Sequence, residues 1–368
     1  MLVLGIDTSC DETAVSIVEN SRKVLSSVVF SSLKLHKKFG GVVPEIASRA
    51  HLEKVIYVIH QALEQAEAGL EDIGLIAVTY GPGLVGSLLV GISVAKSFSL
   101  SHKLQLVGIN HLEAHLEANF IGKRIPRSPF IGLVVSGGHT SLVYNRKGRY
   151  QLLGRTRDDA AGEAFDKVAR ILGLGYPGGP VIERLSRKGD PQKIKFPRCF
   201  LKKDSLDFSF SGIKTSVLYY VRDHVDRSAL CVVRRASGKI KRDFEEKRNF
   251  KTLERTTHDA QRTAQIADIA AGFQEAVVDT LTAKAISACK TKRVDKMAVG
   301  GGVAANLRFR KKLTAEADKS GIKICWPEKE FCTDNAAMVA SLGYRQYKKG
   351  KRFDLSLTAM PSLEFGGG

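Results

Sequence analysis

A strand–loop–strand–strand pattern occurs twice in this chain, and it restricts the fold more than any other feature. Residues 2–6 (LVLGI) read as a buried strand. A polar turn follows at 7–13, then a second strand at 14–19 (AVSIVE), a tight turn at 20–23 and a third strand at 24–32. About 128 residues later the order returns: FIGLVV (130–135) is a strand, SGGHT (136–140) a polar loop, SLVYN the next strand, and a turn at 146–149 leads into YQLLGRT. Two copies of one unit predict a duplicated fold whose polar loops face each other. At 368 residues the chain is too long for one ordinary core and suits two lobes.

Helices alternate with strands through the rest of the chain. Residues 51–65 form an amphipathic pattern with Leu52, Val55, Ile56, Ile59 and Leu63 at helical spacing. LIAVTYGPG (75–83) is a strand, GSLLVGISVAKSFSL a helix packed through small residues, 104–109 a strand, and a short helix starts near Asn110. Later come a long helix at 268–290, strand 296–302, a helix from about Ala304, strand 323–327 and a helix over 335–347. The expected class is α/β with a mixed sheet in each lobe. The expected division is 1–128 for the first lobe, 129–345 for the second (with exchange of C-terminal elements left open), and 346–368 as a basic, flexible tail. Residues 223–263 are charged and weakly periodic and read as an insertion, a solvated face before an RNA contact.

Composition excludes some classes. No apolar stretch approaches the roughly 20 residues that span a bilayer. The start MLVLGIDTSCDE lacks the basic and then long apolar regions of an export signal. Six cysteines are scattered without a CxxC pair. These features place the expected site of action in the cytoplasm. The 57 Lys and Arg against 38 Asp and Glu give +19, which suits a polyanionic partner, or a proteome that runs basic throughout. Basic clusters lie at 123–127, 202–203, 310–312 and 345–352.

Several groups can carry chemistry. His111 and His115 in NHLEAH are four apart, so a helix puts both imidazoles on one face as ligands for one divalent metal, or as two solvated histidines. A zinc peptidase would need HExxH; here Leu112 follows the first histidine, and Glu113 is turned away by about 100° per residue. In residues 136–140, Gly137 and Gly138 let backbone amides approach a ligand, and Ser136, His139 and Thr140 offer hydrogen bonds; a plain tight turn is the other reading. VGGGVAAN (299–306) ends a strand in three glycines before a helix, a place for phosphate or ribose, but it is neither GxGxxG nor a Walker loop. Gly178 and Gly179 form a Gly/Pro corner, with Asp166 at a helix start before it. Asp334 and Asn335 also stand at a helix start, where capping is the ordinary role.

Taken together these stretches resemble one family. GIDTSCDETAVSIV, GGVVPEIASRAHLE, TYGPGLVGSLLVG, NHLEAH, VVSGGHTSL, GEAFDKVAR, GYPGGP, FSFSGIKTS, IAAGFQEAVVDTL, GGGVAANLRFR and CTDNAAMVA run in order from residue 5 to about 340. The chain is similar to the TsaD family, the tRNA threonylcarbamoyladenosine transferases of the actin-like, sugar-kinase-like and Hsp70-like superfamily. The resemblance implies a two-lobed fold of that superfamily with a central cleft. It implies a metal held by His111, His115 and Asp334, one divalent ion per subunit, Fe2+ before Zn2+ or Mg2+. It implies substrate contacts at Val134, Val135, Ser136, Gly137, Gly138, Asp166, Gly179 and Asn306, with Glu183 where the family often has Asp. The implied reaction moves a threonylcarbamoyl group from threonylcarbamoyl-adenylate to N6 of adenosine 37 in tRNAs reading codons that start with A. The implied partners are a TsaB-like paralogue and a TsaE-like ATPase, with no membrane. Asp11 and Glu12, two carboxylates on the first polar loop, are candidates for the base or for orienting groups. Ala114 replaces a usual Gly, and the 223–263 insertion is longer than usual. An ATPase or kinase on the same fold, and a noncatalytic scaffold paralogue, remain the alternatives.

Overall fold

The repeat becomes two five-stranded sheets of one design. The computed structural model describes residues 1–122, 128–198, 205–225 and 257–367. In the first sheet, β1 (Leu2–Asp7), β2 (Glu12–Glu19) and β3 (Lys23–Ser31) pair antiparallel, and β4 (Ile73–Gly81) and β5 (Gln105–Asn110) extend β1 in parallel. The order is β3-β2-β1-β4-β5. In the second sheet, β6 (Phe130–Val135), β7 (Thr140–Arg146) and β8 (Arg149–Arg155) pair antiparallel, and β9 (Lys296–Gly300) and β10 (Lys323–Cys325) run parallel to β6. Its order, β10-β9-β6-β7-β8, is the first read from the other end.

Strand alternation assigns each face a partner. Leu4 and Ile6 of β1 point into a cluster with α2 (Pro44–Gln65) and α3 (Val85–His102). Val3 of β1 and Leu75 and Ala77 of β4 point to the other face, onto α10 (Ala336–Lys348). In the second sheet Ile131, Leu133 and Val135 pack with Phe165 of α5 (Ala161–Ile171) and with Phe273 and Val277 of α8 (Thr257–Lys292). Side chains two apart on a strand share a face, so each sheet is covered on both sides.

Two expectations change here. The helix expected from residue 51 begins at Pro44, and Leu52 and Ile56 on its expected apolar face are 69% and 54% exposed. The buried side is Ala47, Ala50, His51, Val55, Val58, Ile59 and Ala62, because His51 is turned inward. The segment 346–368, expected as a loose tail, is docked over its described residues: Met360 N–H donates to Tyr80 C=O at 2.8 Å, and Leu357 and Leu363 are buried in the first lobe's core. Helix α10 lies on the first sheet, an exchange of C-terminal elements that the sequence left open. Hydropathy cannot foresee either docking, since both depend on which sheet offers an uncovered apolar face. Most of the 223–263 insertion, and the clusters at 123–127 and 202–203, lie outside the described residues.

Helix α4 (His111–Glu117) sits between the sheets. Its Ala114 packs into the first sheet's core, and Leu112 and Leu116 pack with Phe130, Val134 and Val143 of the second. A side chain at Gly300 would meet the His115 carbonyl at 2.3 Å, so the close approach of β9 to this helix requires glycine.

Candidate metal centre and cleft

Three ligand-type side chains meet at this joint. Asn110 ends β5 and caps α4, its side-chain oxygen accepting from Leu112 N–H at 2.9 Å. That start places His111 and His115 one turn apart, ring centroids 4.5 Å apart. Asp334 approaches from the loop before α10, its Oδ1 3.5 Å from His111 Nε2 and 3.2 Å from His115 Nε2. One ligand atom from each of the three lies within 4.8 Å of the others. The ambiguity over capping is settled by the neighbour: Asn335 caps α10, accepting from Met338 N–H at 3.0 Å, which leaves Asp334 free to face the histidines.

The surroundings fit a metal ion. His115 is fully buried, yet neither ring nitrogen makes a hydrogen bond of sound geometry. Burying an imidazole with both nitrogens unsatisfied costs about 1–3 kcal/mol per group, a cost that a bound cation removes. His111 is supported differently. Its Nδ1 lies 3.1 Å from Asp7 Oδ2 and 3.2 Å from Ser9 Oγ, the carboxylate support that orients a ligating imidazole. Burial by itself would lower the His111 pKa, but Asp7 and Asp334 outweigh it and hold the group well above its usual range. Burial likewise opposes the charge of Asp334, and the two histidines overcome it, holding that carboxyl well below its usual range.

The two polar loops flank this triad. Burial, then Asp334 and Asp11, push Glu12 up to about 9. The Glu12 carboxyl is thus within electrostatic reach of Asp334 and Asp11, and its Oε1 accepts from Ser31 Oγ at 3.2 Å. Across the cleft, burial raises Asp166 to about 6, opposed by the Gly178 N–H bonded to it at 2.6 Å and reinforced by Asp11. Asp166 lies in the middle of α5 rather than at its start. The 136–140 loop closes on itself, Ser136 N–H donating to His139 C=O at 2.8 Å and His139 N–H to Ser136 Oγ at 3.1 Å. Side chains added at Gly137, Gly138 or Gly179 would meet nothing within 4 Å, so all three border open space. Val134 and Val135 bury their side chains in the core, leaving only backbone for any ligand.

Asn306 and Glu183 come together elsewhere on the rim. Asn306 caps α9 (Leu307–Lys319) by accepting from Phe309 N–H, and its amide donates to Gln274 at 2.8 Å. Glu183, on α6 (Gly178–Ser186), accepts from Leu307 N–H at 3.2 Å. Glu113 points away from the histidines, accepting from Gly366 N–H at 3.1 Å, which removes the general base that a zinc peptidase needs.

A family model described as TsaD, tRNA N6-adenosine threonylcarbamoyltransferase, matches residues 23–341. The chain belongs to the TsaD family. A Clostridium botulinum (strain 657) protein named tRNA N6-adenosine threonylcarbamoyltransferase is 47% identical over 99% of this chain and 98% of its own length. A Clostridioides difficile (strain 630) protein of the same name is 46% identical over the same shares. Among solved structures, full-length HypF in its phosphate- and nucleotide-bound form aligns with TM-score 0.58 at 11% identity, over 95% of this chain and 46% of that one. Component A of the Acidaminococcus fermentans (R)-2-hydroxyglutaryl-CoA dehydratase aligns with TM-score 0.50 at 16% identity, over 95% and 100%. At such identities the likeness shows the fold alone, the two-lobed actin-like, sugar-kinase-like and Hsp70-like architecture.

Two cleft groups of this TsaD member had little or no role in the sequence reading. Burial, then Asp11 and Asp166, raises the Tyr176 hydroxyl above its ordinary range, so Tyr176 faces the same carboxylates. Its signal was an aromatic residue inside GYPGGP. Burial, then His111 and His115, pushes His139 down to about 4, which keeps it neutral beside the TsaD triad.

Proposed function

We propose that the chain transfers the threonylcarbamoyl group of threonylcarbamoyl-adenylate to N6 of adenosine 37 in tRNAs reading codons that begin with A, releasing AMP in the cytoplasm. Membership of the TsaD family carries this reading, and the intact His111–His115–Asp334 group between two loops supports it. In the reaction the carbonyl–phosphate oxygen bond breaks, an N6–carbonyl bond forms, and the amine loses one proton.

The metal ligands would be His111, His115 and Asp334; two imidazoles and one carboxylate suit Fe2+ or Zn2+ better than Mg2+, and Fe2+ is our assignment. Such an ion supplies an electrophile that holds and polarises the acyl donor. The open backbone at Gly137, Gly138 and Gly179 would seat the adenylate, with Asp166, Glu183 and Asn306 around it. N6 of adenine is a weak nucleophile, so positioning supplies much of the rate. Asp11 would accept the amine proton, and Glu12, held up to about 9 by burial, would keep its own proton and orient Asp11.

Partner docking has a surface to use. On α2 and α3, which pack together, Leu52, Ile56, Tyr57, Val85 and Leu89 are exposed. We assign this strip to a TsaB-like paralogue, with a TsaE-like ATPase completing the system. Among the described residues no helix is long and apolar enough to cross a membrane.

The test is a transfer assay. The chain, with its TsaB-like and TsaE-like partners, receives threonylcarbamoyl-adenylate and unmodified tRNA, and the nucleosides are analysed by mass spectrometry. Threonylcarbamoyladenosine should appear at position 37. No product from folded protein with active partners, together with rapid ATP hydrolysis by the chain alone, would overturn the reading in favour of a kinase-like activity.

A further inference from the structure

Two buried histidines outside the metal group grip the loop that carries Asp11 and Glu12. His51 on α2 places Nε2 2.9 Å from the Cys10 carbonyl and Nδ1 2.8 Å from Thr13 Oγ1. A carbonyl can only accept, so Nε2 carries the proton and donates, while Nδ1 accepts from the threonine hydroxyl. His36, on the short helix α1 (Leu33–His36), has the opposite constraint. The Val43 N–H can only donate, at 3.2 Å, so His36 Nδ1 accepts and Nε2–H donates to Ser32 Oγ at 3.0 Å. Ser32 Oγ then donates to the Asp11 carbonyl at 2.8 Å, and Ser32 N–H donates to the same oxygen at 3.0 Å. The preceding carbonyl, that of Ser9, accepts from Leu84 N–H at 2.8 Å. Three successive carbonyls, at residues 9, 10 and 11, are therefore all bound by elements of the first lobe.

The direction of these bonds has an electrostatic meaning. Helix α2 covers one face of the first sheet, and the helix after Asp334 covers the other. The carbonyl of Cys10 is thus drawn toward α2. Asp11 and Asp334 already bring negative charge to the metal site, and their field is one reason the neighbouring Glu12 is held up to about 9. A carbonyl turned toward them would add its dipole to the repulsion and would face an anionic adenylate. Both histidines are fully buried; His51 spends both ring nitrogens on this loop, and His36 reaches it through Ser32 while its other nitrogen is taken by Val43 N–H.

We infer that His51 and His36 are positioning residues for the transfer reaction: neutral, single-tautomer clamps that hold the carbonyls of Cys10 and Asp11 away from the cleft and the Asp11–Glu12 carboxyls toward it. The inference rests on the assignment of Asp11 and Glu12 to the reaction made above. Burial, which lowers the pKa of His51, is in keeping with a neutral clamp, against the opposing pull of the Cys10 carbonyl, Asp7 and Asp11.

The experiment is a double-mutant cycle in the transfer assay, with melting temperature and metal stoichiometry measured on each variant. His51→Phe keeps the volume and removes both hydrogen bonds; it should lower kcat about 10- to 100-fold with KM and bound metal unchanged, the loss expected from a small misplacement of a reacting group. His51→Gln keeps an N–H for the Cys10 carbonyl and should recover most of that rate. In an Asp11→Ala background, His51→Phe should cost little more, because the group it positions is gone. Ser32→Ala, which removes the relay from His36 but leaves the Ser32 N–H bond, provides the same cycle where His51→Phe does not fold. An equal loss with and without Asp11, or no rescue by Gln, would overturn the clamp. Full turnover by Asp11→Ala and Glu12→Ala would instead overturn the underlying assignment, a separate result read from different proteins.

Discussion

The loops at residues 9–13 and 136–140 occupy equivalent places at the ends of β1 and β6, yet they are built in opposite ways. The first has no glycine and carries two carboxylates, and its carbonyls are bound from three directions by Leu84, His51 and Ser32. The second turns back on itself through Ser136 and His139 and leaves two glycines bordering empty space. One duplicated scaffold thus presents acidic side chains on one wall and bare backbone on the other. The lesson is a division of labour: a clamped loop suits a proton-accepting group, whose position decides the rate, and an open glycine turn suits a ligand that must come close to backbone amides.

The comparison holds only while something lies between the loops for both to act on. Replacing His111 and His115 together by Ala should remove the bound metal, and, with several kcal/mol of charge stabilisation lost, turnover should fall by about 10³-fold or more. Metal analysis beside the transfer assay checks this, and retained turnover without metal would break the scheme. Asp11→Ala should act mainly on kcat, by about 10²- to 10⁴-fold, the usual range for a general base. Gly138→Ala should act mainly on KM for the adenylate, raising it about tenfold while leaving the melting temperature unchanged, since the added methyl meets no protein atom within 4 Å. Steady-state kinetics on the two variants sharpens the contrast, and a KM effect from the first with a kcat effect from the second would reverse the roles. The smallest effect is expected at the cap that frees Asp334. Asn335→Ala should cost about 1 kcal/mol in denaturant unfolding, with a modest weakening of metal binding. A stability loss with unaltered metal affinity would show that Asp334 needs no help from its neighbour.

Much of the site could be read along the chain because its parts are local. The spacing of His111 and His115 is a one-turn spacing, and Asn110 before them is a capping residue, so pair and face follow from helix geometry. The 136–140 loop was legible as two glycines after a buried strand, and the duplication as a period-two pattern met twice. The third member of the group was not legible from spacing. Asp334 lies more than 200 residues from His115 in sequence, and it came only from resemblance to a family. That it faces the histidines rather than capping the helix depended on Asn335 taking the cap.

What the sequence determined by itself was the class of fold, the two polar loops and the histidine pair, all of them consequences of short-range periodicity and turn chemistry. Tertiary structure decided which way the helix bearing His51 faced, turning a polar ring inward and leaving Leu52 and Ile56 in solvent. It also decided that α10 and the last described residues belong with the first sheet, and that Tyr176 and Asp166 look across at Asp11. The reason is the same in each case. Hydropathy ranks side chains by their own transfer free energy, but a buried histidine is stabilised by a carbonyl, a serine or a backbone amide that only the folded chain brings to it.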